Sequence, residues 1–307
     1  MYWRRRAVAL ALLVALVGGI VALVGALGGD EAGGRSAAAT TKKARPAAPA
    51  QLPRGGTRIL PHFRVVAYYG APQDPELGAL GIGTPAHAAR RLQRTARSYA
   101  RIGRPVLPAL ELLAVVANRD AGDDGLYSSR QPDAVIKRYL AAARRAKALL
   151  ILDIQPGHRD FWGEAHALER WLREPDVSLA LDPEWHTPGA VPGTAIGSVD
   201  AREVNAISAW LEQMVRREGL PQKLLLVHRF TESMVRGTLK RRAHVAVTEN
   251  VDGFGARAIK RVKYETFARG TRGLFHGFKL FFREDTNLMR AGNVRALRPR
   301  PDVVVYE

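Results

Sequence analysis

The chain has 307 residues and no cysteine, and 47 lysines plus arginines against 29 aspartates plus glutamates give it a formal net charge of +18. Disulfide frameworks, thiolate metal sites, cysteine nucleophiles and lipid-modified cysteines are excluded, and 47% hydrophobic residues exclude wholesale disorder. Residues 1–60 carry +7 of the charge, and 38 of the 47 basic residues are arginine in an alanine-rich chain, so the basicity follows composition and does not argue for an anionic partner.

The N-terminus reads as a membrane segment. Arg4, Arg5 and Arg6 precede residues 7–27, an uncharged apolar run of 21 residues. About 20 such residues span a bilayer, whereas the apolar part of a cleaved signal is about 7–15 residues. A retained anchor through residues 7–27 is therefore expected, with cleavage after Ala26 or Gly28 as the alternative. The positive-inside rule puts the remainder outside the cytoplasm, at the cell membrane. Residues 1–28 form this segment, and 29–60, poor in large apolar side chains, form a flexible stalk.

Residues 61–307 read as a single domain. Short apolar, β-branched runs occur at 64–69, 106–111, 149–155, 177–184, 223–229, 244–252, 277–282 and 303–307. Runs of this kind suit strands buried on both faces. Helical patterns lie between them at 85–102, 132–148, 164–173, 199–218, 231–240 and 256–269, with a weakly marked one at 293–297. Eight strands with intervening helices predict an α/β fold of the (β/α)8 TIM-barrel type lacking the last helix. A doubly wound open sheet is the alternative. No glycine-rich phosphate loop or dinucleotide fingerprint follows any strand, so no cofactor is expected.

Chemistry in such a barrel sits where the strands end, and here each strand ends in something polar. Tyr68 and Tyr69 close the first, Glu111 the second, Asp153 and Gln155 the third, and Asp182 and Glu184 the fourth. His228 and Arg229 close the fifth, Glu249, Asn250 and Asp252 the sixth, Lys279 lies in the seventh, and Glu307 ends the eighth. In Asp182-Pro183-Glu184-Trp185, carboxylates at i and i+2 of a strand share a face. Neighbouring carboxylates split their ionisation, so that one can act as an acid. Trp185 and Trp162 offer flat apolar faces to a sugar ring.

This arrangement resembles the glycoside hydrolase barrels, especially chitinase-like and lysozyme-like groups in which an Asp-x-Glu pair ends the fourth strand. The resemblance implies Glu184 as proton donor and Asp182 as its assistant, but Ala180 and Ser178 stand where the chitinase pattern has further acids. In another hydrolase superfamily a Glu ends the seventh strand, and Glu284 and Asp285 lie near that place. More broadly, YYG, PALEL, LLILDIQ, LALDPEW, LLVHRF, VDGFG and GFKLFF look like a group of bacterial exported barrel proteins, over residues 64–307. The expected activity is hydrolysis of a cell-envelope or extracellular glycan, or of another small polar substrate. Glu184, Asp182, Asp153, Glu111 and Asp252 are the catalytic candidates; Tyr68, Trp185, His228, Arg229 and Lys279 are the substrate contacts.

Two rivals stand beside it: a non-catalytic glycan-binding or scaffolding barrel, and an aldolase using a Lys279 Schiff base. Asp120, Asp123 and Asp124 lack calcium-loop spacing. His158, His166 and His186 match no zinc motif, so no metal is expected. Charge dispersed over helix faces without a recognised module argues against nucleic acid.

Overall fold

The computed structural model describes residues 50–100, 104–271 and 273–307. The apolar run at 7–27 and most of the stalk lie outside the described residues; among the described ones, no helix is long and apolar enough to cross a membrane.

Eight parallel strands close into a barrel: Arg64–Gly70, Val106–Ala117, Leu149–Ile154, Val177–Leu181, Lys223–Arg229, Val245–Val251, Phe275–Leu280 and Val303–Tyr306. Val65 pairs with Leu107 on one side and with Val303 on the other, which seals the sheet on itself and removes its edges. The chain is thus a (β/α)8 barrel, and the open-sheet alternative falls. Three short strands stand apart: Ser128–Arg130 runs antiparallel to the end of the second barrel strand, and Val199–Asp200 pairs with Val235–Arg236.

The helices that cover the barrel are amphipathic. Thr84 caps Pro85–Arg97, with its hydroxyl accepting from the His87 N–H, and proline occupies the first turn. Gly219 ends Ala201–Glu218 in the left-handed conformation. Asp133–Arg145, Phe161–Ala167, Glu169–Leu172, Arg257–Gly270 and Ala291–Ala296 complete the layer. The expected helix at 231–240 does not form. That stretch is a 3-10 turn at Glu232–Met234 followed by the Val235–Arg236 strand, because Gly237 adopts φ +102° and the β-branched Val235 is paired.

Strand alternation divides the interior into two cores. One parity of side chain packs outward against the helices, as do Val66, Leu110, Leu152 and Leu181. The other points into the lumen, where Val65, Ala67, Leu107, Ala109, Leu149, Ile151, Leu224, Leu226, Val303 and Val305 fill the lower levels. Leu52, Ile59, Leu60 and Phe63 join that inner core. Gln222 Oε1 accepts from the backbone N–H groups of both Ile59 and Leu60 at 2.9 Å. The stalk therefore gives way to packed structure by Leu52, earlier than residue 61, because three large apolar side chains find a floor to cover.

Lys223 opens the fifth strand fully buried, donating to the Glu174 and Val177 carbonyls at 2.5 and 2.8 Å. Burial lowers its pKa to about 7, although Asp176 and Glu174 pull the other way. An unfolded lysine titrates near ~10.4, so between those values the unfolded chain holds more protons than the folded one. The stabilisation is complete above the unfolded value and is lost as pH falls through about 7. Urea titrations between pH 7 and 9 should show stability rising by at most about 1.4 kcal/mol per pH unit relative to Lys223→Met.

Candidate active site

At the upper end of the lumen the inward parity changes from aliphatic to polar. The first strand contributes Val65, Ala67 and then Tyr69, the second Leu107, Ala109 and then Glu111, and the fifth Leu224, Leu226 and then His228. Asp153, Asp182, Asn250, Asp252 and Lys279 complete the ring, and all of them are buried. A small residue makes room for it. A Cβ on Gly277 would lie 2.4 Å from Asn250 Oδ1, so glycine lets the sixth and seventh strands approach with Asn250 turned inward.

Asp252 is the most heavily used acid. Its Oδ2 meets Lys279 Nζ at 3.1 Å and His228 Nδ1 at 3.0 Å, and its Oδ1 accepts from the Gly253 N–H at 2.5 Å. Burial alone would raise its pKa, but Lys279, His228 and the Gly253 amide hold it well below the usual carboxylate range. Lys279 also meets Glu307 Oε2 at 2.9 Å and stands 3.7 Å from the centre of the Tyr69 ring. Desolvation works against its charge, yet Asp252, Glu307 and Asp182 outweigh it and keep the ammonium protonated. Pairing with two carboxylates disfavours the neutral amine that a Schiff base needs.

His228 lies between two acids, with Nε2 2.8 Å from Glu111 Oε1. Burial and Lys279 favour the neutral imidazole, and the hydrogen bonds to Asp252 and Glu111 outweigh them, raising its pKa well above the ordinary value. Asp153 Oδ2 is 3.9 Å from the same Nε2, but neither of its oxygens has a hydrogen-bond partner. Burial first, then Asp182 and Glu111, push Asp153 well up, with His228 opposing. Asp182 Oδ2 accepts from Tyr69 Oη and Gln155 Nε2, each at 3.3 Å. Burial raises its pKa too, against His228 and Lys279.

Glu184 does not share a strand face with Asp182. The fourth strand stops at Leu181, and Pro183–Trp185 forms one 3-10 turn that carries Glu184 and Trp185, both half-buried, beyond the strand end. Proline removes a ladder donor and fixes φ, which ends the strand. Withdrawal of its carboxyl from water, then the charges of Asp182 and Asp252, hold the Glu184 pKa well above the ordinary value.

Tyr68 and Arg229 lie on the other parity. Tyr68 Oη meets Thr95 Oγ1 at 2.7 Å under the first helix, and Arg229 pairs outward with Glu249 at 2.9 Å. Trp162 stacks with His166, itself stacked on Trp210, in the helix layer. His158, His166 and His186 each direct a ring nitrogen to a backbone carbonyl. Asp124 pairs with Arg159, and Asp285 with Lys260 at 2.8 Å. The lumen residues absent from the candidate list, Tyr69, Gln155, Asn250 and Glu307, all stand at strand ends, and counting alternate positions up from Val65 picks out Tyr69 over Tyr68.

The fold and the site together define a (β/α)8 barrel with an acid-rich lumen mouth. No family model matches the chain, and no curated protein matches it. Among solved structures it is similar to oxaloacetate acetylhydrolase in complex with the inhibitor 3,3-difluorooxalacetate. The identity is 12% over 79% of this chain and 67% of that one, with a TM-score of 0.29, too slight a likeness to bear on the chemistry.

Replacing Lys279 by methionine removes the cation that Asp252 and Glu307 share. Removing one partner of a buried pair costs about 3–5 kcal/mol. Chemical denaturation of Lys279→Met should show a loss of that order, and a loss below about 1 kcal/mol would mean that the acids find other partners.

Proposed function

We propose that the barrel hydrolyses a cell-envelope or extracellular glycan by carboxylate acid/base catalysis, outside the membrane that residues 7–27 would anchor. The observation that carries the reading is the divergence of Glu184 and Asp252. Burial and the charges of Asp182 and Asp252 raise the pKa of Glu184, while, against burial, Lys279, His228 and the Gly253 amide lower that of Asp252. Glycoside hydrolysis needs that division of labour: a proton for the leaving oxygen, and negative charge for an oxocarbenium-like transition state. Glu184 is the acid. The permanently ionised partner is Asp252, not Asp182, whose own pKa is raised. Trp185 beside Glu184 supplies the apolar face for a sugar ring.

The second reading, a barrel that binds glycan without cleaving it, draws on a different observation. Asp252 already serves Lys279, His228 and the Gly253 amide, and Lys279 is shared with Glu307, so much of the lumen's charge is satisfied internally.

Glu184→Gln keeps the shape and removes the proton, so turnover of envelope polysaccharide should fall by about 10²–10⁴ while binding persists. The unmutated enzyme should lose activity as pH rises through the elevated Glu184 pKa, since the acid form is the working one. Undiminished turnover in Glu184→Gln removes Glu184 from the role; binding with no turnover in the unmutated protein supports the second reading.

A further inference from the structure

We propose that Glu111, Asp153 and His228 together bind one divalent transition-metal ion, of the zinc or manganese class, inside the lumen. The three come from the second, third and fifth strands, and each offers one ligand atom within 4.8 Å of the other two. All three side chains are fully buried. This juxtaposition is invisible in linear spacing, which is why no zinc motif announces it.

The orphaned oxygens point to the ligand. Both carboxylate oxygens of Asp153 and Glu111 Oε2 are buried without any hydrogen-bond partner. Buried acids in folded proteins are paired, hydrogen-bonded or bound to a metal, because leaving them unpaired costs several kcal/mol. Among the described residues no arginine or lysine pairs with Asp153; His228 Nε2 stands 3.9 Å from its Oδ2. An ion placed among these groups satisfies Asp153 and Glu111 together.

The histidine is also arranged as a metal ligand. Its Nδ1 faces Asp252 Oδ2 at 3.0 Å, and Asp252 is fixed in turn by Lys279 and the Gly253 N–H. With the proton on Nδ1, the Nε2 lone pair is free for a cation, and the carboxylate behind it orients the ring and raises its basicity. The proton now shared by Nε2 and Glu111 Oε1, together with any held by Asp153, leaves to solvent when the ion enters. Two carboxylates and one neutral imidazole then balance the charge of the dication.

The donor set selects the ion. One nitrogen with two carboxylates suits zinc or manganese, whereas calcium wants six to eight oxygens. Ligands about 2.1 Å from a common ion at the tetrahedral angle lie about 3.4 Å apart, so from a spacing of up to 4.8 Å the three groups draw together by as much as about 1.4 Å on binding. Three protein ligands leave a further position for water or a substrate oxygen. The ligand set excludes Glu184, so the inference stands independently of the glycan reading.

The test is calorimetric titration of chelator-stripped full-length protein with zinc chloride and manganese chloride, alongside thermal unfolding. The expected result is one ion per chain and a rise in Tm on loading. Asp153→Asn should weaken binding at least about 100-fold and abolish the Tm rise. Without metal, that variant should unfold at the same temperature as the parent or higher, since it removes an unpartnered buried acid, so loss of binding is not loss of fold. His228→Gln should also lose binding. Glu184→Gln should keep full metal binding while losing turnover, which separates this inference from the proposed reaction. Failure of the unmutated protein to bind either ion, or binding that survives both Asp153→Asn and His228→Gln, overturns it.

Discussion

The lumen is organised by the carboxylate of Asp252, which gathers Lys279, His228 and the Gly253 amide onto two oxygens. The contacts of Lys279 and His228 with the other acids start from this junction. Lys279 is held over Tyr69 and against Glu307 because Asp252 fixes its ammonium, and His228 reaches Glu111 because its other nitrogen is already engaged. In a desolvated lumen such charges persist only when each has an opposite within reach. Asp153 is the member for which the network provides no hydrogen bond.

The scaffold and the site divide the same strands by height. The lower inward positions are aliphatic and pack with Leu52, Ile59 and Leu60 beneath them, so the floor is sealed and rigid. Polar residues gather toward the upper inward positions of the strands. Glu111, Asp153, His228 and Lys279 are thereby held within strands paired on both sides, and Asp182 and Asp252 directly follow theirs, which positions them more narrowly than a long loop could. Glu184 is the exception. It stands on a single 3-10 turn after a proline, half-buried, where an incoming group could meet it.

Much of the barrel was legible in the sequence because strands buried on both faces leave near-continuous apolar runs. All eight were found within a few residues, although the second continues to Ala117 and the fourth ends at Leu181. The helix expected at 231–240 was misread because an apolar pattern alone does not register Gly237 at positive φ. The polar strand ends were equally visible, but their facing was not. Tyr68 and Tyr69, like His228 and Arg229, are adjacent residues of which one must face outward, and only the register to neighbouring strands decides which. The grouping of Glu111, Asp153 and His228 across 117 residues of chain could not be read at all, since it arises from barrel closure and stagger.

The sign of the charge inside the barrel is opposite to that of the chain as a whole. Among the described residues, Glu111, Asp153, Asp182, Glu184, Asp252 and Glu307 lie near Lys279 and His228, while the net charge of the protein is +18. A buried surplus of acids must be offset by protons or by an added cation. Raised pKa values at Asp153, Asp182 and Glu184 are one response, and the proposed ion between Glu111 and Asp153 would take the place of a proton on Asp153. The arginine-rich exterior of the chain therefore says little about what the lumen accepts.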